Sequence, residues 1–139
     1  MTSIEIQRIC TTELQPSDEQ LIQWSKMVLQ DVHHPVEMVI RIVDEIESAQ
    51  LNQIYRHKEG ATNILSFPIE LPDEIDLNLI GDLVICAPVL QREAKSQNKP
   101  LINHWAHIVI HGILHLLGYD HIDEVDAHVM ESKEISLLN

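Results

Sequence analysis

The sequence predicts an α+β domain, a small mixed sheet packed with about five helices, and three observations lead there. Short β-branched runs and segments of helical periodicity follow one another in the order β-α-β-α-β-β-α-α-α. Two of those strands succeed each other across nothing but an acidic loop, "ELPDEIDLN". No composition shift or linker divides the 139 residues, so residues 1–139 read as one domain.

The elements can be justified in chain order. "SIEIQRI" alternates apolar and polar residues at Ile4, Ile6 and Ile9, the pattern of a half-buried first strand. Ser17 caps a helix, with Gln20 completing a capping box and Leu21, Trp24, Val28 and Leu29 forming its apolar stripe. After the break at "HHP", the β-branched "VEMVIRIVD" is a strand. "EIESAQLNQIY" is helical, with Ile46, Leu51 and Ile54 at helical spacing. "NILSFPI" and "IGDLVIC" are two further strands separated by the acidic loop, and "APVLQREAKSQ" is the next helix. Pro100 opens a helix through its preset φ, running from Leu101 to Leu117 and stopped by Gly118. A final amphipathic helix is expected from Asp123 to Leu138.

Composition excludes several classes. With 45% hydrophobic and 22% charged residues the chain is ordinary for a soluble domain rather than a disordered one, and no repeat suggests a solenoid. No run of 18 apolar residues is present and the N-terminus lacks an apolar signal core, so no membrane role is expected. Cys10 and Cys86 form no CxxC pair and read as reduced packing residues of an intracellular protein. A net charge of -13 argues against a broad electrostatic grip on nucleic acid, though a cleft can differ in sign from the whole. Arg56 and Lys58 form one basic group, and Arg92, Lys95 and Lys99 another.

The chemistry concentrates in "HIVIHGILHLLGYDHIDE", residues 107–124. His111 and His115 are four apart on one helix face, and a turn after Gly118 can return His121 to that face. Three converging imidazoles suit zinc and leave one tetrahedral position open, which separates catalytic from closed structural sites. Such ligands must be neutral, so metal occupancy and activity are expected to fall below about pH 6. His107 and His104, one and two turns earlier, read as packing or supporting groups, while His33, His34, His57 and His128 read as hydrogen-bonded core residues. Thr62, Asn63 and Ser66 are most simply read as satisfying backbone groups of a strand and turn. Asp82, which follows Gly81, is a candidate acceptor behind the site, and Tyr119 and Asp120 are expected to fix the turn that delivers His121.

The spacing H-x3-H-x2-G-x2-H is shared with metzincin proteases, which makes a zinc metalloprotease-like hydrolase the rival reading. Those enzymes carry a general-base Glu directly after the first His, where this chain has Gly112, and Met130 follows too closely for a Met-turn.

"HGILHLLGYDH" resembles the signature of the bacterial YbeY family, single-strand-specific endoribonucleases and ribosomal RNA maturation factors. "LNQIYRHKEGATNILSFP", residues 51–68, "IGDLVIC" and the terminal "MESKEI" resemble its other blocks, so the likeness runs from about residue 36 onward. The resemblance implies that His111, His115 and His121 bind one Zn²⁺ per chain, that Arg56 is the functional arginine of the cleft, and that Arg56 and His115 are catalytic. It implies an α+β fold with the His helix on a small sheet. It also implies a cytoplasmic enzyme acting on single-stranded and ribosomal RNA, including the 3′ end of the small-subunit RNA, and in ribosome quality control. Neutral ligands leave the ion's double charge unquenched, which suits an anionic phosphodiester. Arg56 would then hold its non-bridging oxygens, in place of the surface ion pair otherwise expected of it. A non-catalytic assembly factor with a structural zinc stays open, its acidic surface suiting basic proteins of the small ribosomal subunit.

Overall fold

The computed structural model describes residues 3–11, 14–30, 32, 36–68 and 79–117. Within them the chain runs β1 (Ser3–Arg8), α1 (Asp18–Leu29), β2 (Glu37–Val43), α2 (Glu45–Arg56), β3 (Ile64–Pro68), β4 (Leu79–Cys86), α3 (Ala87–Ser96) and α4 (Leu101–Leu116). The described residues thus hold four helices, and the fifth, expected from Asp123 to Leu138, lies outside them together with the acidic loop and Gly118.

The sheet order is β1-β2-β4-β3. The first three of these strands are parallel, and β3 runs antiparallel to β4 at the sheet's end. This is the mixed sheet the sequence predicts. Period-two alternation splits its side chains between two cores. Met38, Ile40 and Ile42 of β2 and Leu83 and Ile85 of β4 pack under α1 and α4. Val84, Leu65 and Phe67 join Leu51 of α2 in a smaller cluster. The helices therefore cover both faces, with α4 and α2 on opposite sides.

Ser17 and Gln20 form the expected capping box of α1. Pro100 stands at the N-cap of α4, one position earlier than expected. The expected α2 helix is present, but its apolar residues do not share one buried face: Ile46 and Ile54 are 71% and 63% exposed, Leu51 packs on the smaller cluster, and the buried residues are Ser48 and Asn52. The reason is hydrogen bonding. Ser48 Oγ accepts from the Thr62 N–H and donates to the Thr62 carbonyl, each at 3.0 Å, and Asn52 Nδ2 donates to the Gly60 carbonyl at 2.9 Å. That face of α2 serves the turn leading into β3, so polar residues belong there.

His57 is also corrected. It is exposed and closes α2 in the left-handed region at φ 57°, a C-cap and not a core residue. Ile9 lies exposed beyond the end of β1. Cys10 and Cys86 are buried and unbridged, as packing residues should be.

Two glycines let elements approach. Gly81, at φ +141°, sits where a Cβ would meet the Phe67 carbonyl oxygen, and 2.8 Å from Leu116 Cδ2. At Gly112 a Cβ would lie 2.5 Å from Ile64 Cδ1 and 2.9 Å from Leu83 Cδ2. Position 112 therefore faces the sheet, and α4 settles onto β3 and β4 because nothing projects there.

Candidate active site

His111 and His115 are half-buried near the end of α4, on a side adjoining the one where Gly112 meets the sheet. Their Nε2 atoms are 3.1 Å apart and the ring planes meet at 63°. Two nitrogens held at about 2.0 to 2.1 Å around a tetrahedral centre would be about 3.3 Å apart, so the pair fits two ligands of one zinc ion. Among the described residues no third His, Cys, Asp or Glu completes the set. His121, the expected third ligand, lies outside the described residues, as do Tyr119 and Asp120.

A cavity of about 530 Å³ opens beside the pair. Its lining comes from His111 and His115 of α4, Tyr55 and Arg56 at the end of α2, and residues 63–68 of the β3 segment. Arg56 is exposed, and no ion pair or hydrogen bond engages it among the described residues. The surface ion pair that was its ordinary reading is absent among those residues, and its guanidinium faces the same space as the imidazoles.

Tyr55 holds that end of α2 in place. Its ring meets Phe67 of β3 edge-on at a centroid separation of 5.0 Å. The sequence reading passed over Tyr55, although it directly precedes Arg56 and the aromatic type was a signal. Asn63 and Ser66 both line the cavity, which goes beyond the backbone role expected of them.

Behind the site, Asn63 Nδ2 donates to both Glu93 oxygens at 3.3 and 3.4 Å. The other partner of Glu93 is the buried His104 of α4, at 2.9 Å. His104 is thus the packing group expected, and it ties α4 through α3 to the start of β3. The rings of His107 and His111 are 6.2 Å apart. Asp82 is half-buried in β4, opposite Phe67. A larger groove of about 720 Å³ between α1 and α4 includes His107 but neither Arg56 nor the His111–His115 pair.

The order of elements and the pairing of α4 imidazoles with an arginine at the end of α2 are now joined by a whole-chain comparison. A family model described as Endoribonuclease YbeY matches residues 6–139. The chain belongs to the YbeY endoribonuclease family. A Pseudomonas fluorescens protein named Endoribonuclease YbeY is 52% identical over 139 residues, covering 99% of this chain and 91% of that protein. The solution structure of TM1509 from Thermotoga maritima superposes with a TM-score of 0.66 at 24% identity, covering 97% of this chain and 86% of that one. That likeness establishes a shared fold. Family membership displaces the metalloprotease reading, and the close contact of Gly112 with Ile64 and Leu83 supplies the physical side of it: α4 lies too near the sheet at this position for a side chain to be added without displacing its neighbours.

Proposed function

We propose that this YbeY-family chain is a zinc-dependent, single-strand-specific endoribonuclease of ribosomal RNA maturation, acting in the cytoplasm at the 3′ end of small-subunit RNA and in ribosome quality control. His111, His115 and His121 hold one Zn²⁺, and Arg56 and His115 are the catalytic residues. The supporting observation is that Arg56 and the paired imidazoles of His111 and His115 line one cavity. Proteins of the small ribosomal subunit are its proposed partners.

Zinc, when bound, supplies Lewis acidity and lowers the pKa of water toward about 7. The chain's own residues do the rest. Arg56 offers a planar fork of donors to the non-bridging phosphate oxygens, holding charge as it builds there. Tyr55, edge-on to Phe67, limits the excursions of the α2 end that carries Arg56. The rigid spacing of His111 and His115 comes from consecutive turns of one packed helix, so the ligand geometry exists before substrate arrives.

Cleavage of a labelled single-stranded RNA by zinc-loaded protein tests the reading. Arg56→Ala should lose about 10² to 10³-fold in kcat while binding zinc normally, the scale of one transition-state donor. His115→Ala should lose both zinc and cleavage. Wild-type protein that binds zinc yet leaves RNA whole would put the assembly-factor reading first, and the ribosomal particle would then be the substrate to offer.

A further inference from the structure

The cavity is lined from both sides of one strand. Leu65 and Phe67 belong to the α2 face of the sheet, whereas Ile64 packs towards α4, and all three border the same space. A space bounded by both faces of a strand lies along its edge, and among the described residues β3 is the end strand of the sheet.

Register decides which backbone groups point there. The Cys86 N–H donates to the Asn63 carbonyl at 3.0 Å, so Asn63 and Cys86 form a hydrogen-bonded pair of the antiparallel ladder. Alternation then makes Leu65–Val84 and Phe67–Asp82 the next bonded pairs. The N–H and C=O of Ile64 and Ser66 consequently point away from β4, into the cavity. Among the described residues these groups meet no hydrogen-bond partner.

We infer that the free edge of β3, through the N–H and C=O of Ile64 and Ser66, is a base-reading subsite that hydrogen-bonds the exposed edge of a nucleotide flanking the scissile phosphate. This rests on the nuclease reading above. A phosphodiester offers acceptors only and would leave the carbonyls unmatched. A base edge offers donors and acceptors together, as the strand edge does. The Watson–Crick edge has both and is hidden by pairing in a duplex, so a subsite that reads this edge admits single strands and rejects double ones. Arg56 and the imidazoles flank the edge and would draw the backbone phosphate to the same cavity, which favours a nucleic acid strand here over an extended peptide.

Proline at position 66 provides the test. The Ser66 N–H faces outward, so Ser66→Pro removes that donor without costing a ladder bond, and Leu65 is already extended as a residue before proline must be. Zinc-loaded Ser66→Pro and Ser66→Ala are compared on one single-stranded RNA and on the same RNA abasic beside the cut. Ser66→Pro should show a KM about tenfold above that of Ser66→Ala on the intact RNA, with equal zinc content, and no such gap on the abasic RNA. Equal KM values on the intact RNA, or a gap that persists on the abasic one, would overturn the subsite while leaving the nuclease reading standing. Should Ser66→Pro fail to fold, the wild type still decides, because an abasic RNA cut with unchanged KM overturns the subsite. Failure of the wild type to cut either RNA overturns the nuclease reading itself.

Discussion

At the scale of single residues, burial and partnership decide what each polar group can do. His104 is buried with its Nε2 against Glu93, which also holds Asn63. Glu93→Ala strips the partner from a buried imidazole and should cost about 1 to 3 kcal/mol in urea unfolding. Conversion of Glu93 to Gln should recover part of that loss. Burial pushes the Cys86 thiol above the ordinary thiol range, partly opposed by hydrogen bonds at Val89 and Ser48. A raised folded pKa favours the protonated form, so this contribution is complete below the unfolded value and disappears as pH rises through the folded one. The Cys86 peptide should therefore resist iodoacetamide at pH about 8 until the protein unfolds, and stability should decline as pH rises beyond about 9. Rapid labelling of native protein at Cys86 would contradict its burial. These assignments were only partly legible in the sequence. Cys86 was read as a packing residue, but the Glu93 link between Asn63 and His104 joins three elements and no local pattern announces it.

At the scale of elements, α4 shows how one helix serves core and site together. Its sequence carries the His spacing on one side, and Gly112 on the adjoining side lets it lie against Ile64 and Leu83. Gly112→Glu would drive a carboxylate into that apolar contact and should destabilise by about 3 kcal/mol or more, with Gly112→Ala milder. Thermal unfolding that leaves Gly112→Glu at the wild-type Tm would refute the close approach. α2 was legible as a helix from its periodicity, but its Asp44 cap, whose side chain accepts from the Glu47 N–H, was not, since Asp44 reads in line as the end of the preceding strand. Its buried face was not legible, because Ser48 and Asn52 are buried by their bonds to Thr62 and Gly60 and not by hydrophobicity.

For the whole molecule, the net charge of -13 means that RNA must be held locally. Arg56 and Lys58 are the bases nearest the end of α2, and both are exposed. About 0.7 counterions are released per phosphate neutralised on a single strand, so log KM should rise with log salt at a slope of about 1 to 2. Measuring KM between roughly 50 and 300 mM salt checks this, and a much steeper slope would require a basic surface beyond these two residues. No helix of the described residues is long and apolar enough to cross a membrane.

The sequence by itself determined the α+β class, the strand and helix order, the capping of α1 and the His111–His115 pair, because each depends on periodicity or spacing within a dozen or so residues. It also determined the family, since the resemblance rests on blocks of residues read in line. The tertiary structure alone decided that Arg56 shares a cavity with those imidazoles. Arg56 and His111 lie on helices covering opposite faces of the sheet, and they meet only because β3 is its edge, where both faces open onto one space. The free backbone groups of Ile64 and Ser66 follow from the same fact, since which amides point outward depends on the register between β3 and β4 and on no residue type in either strand.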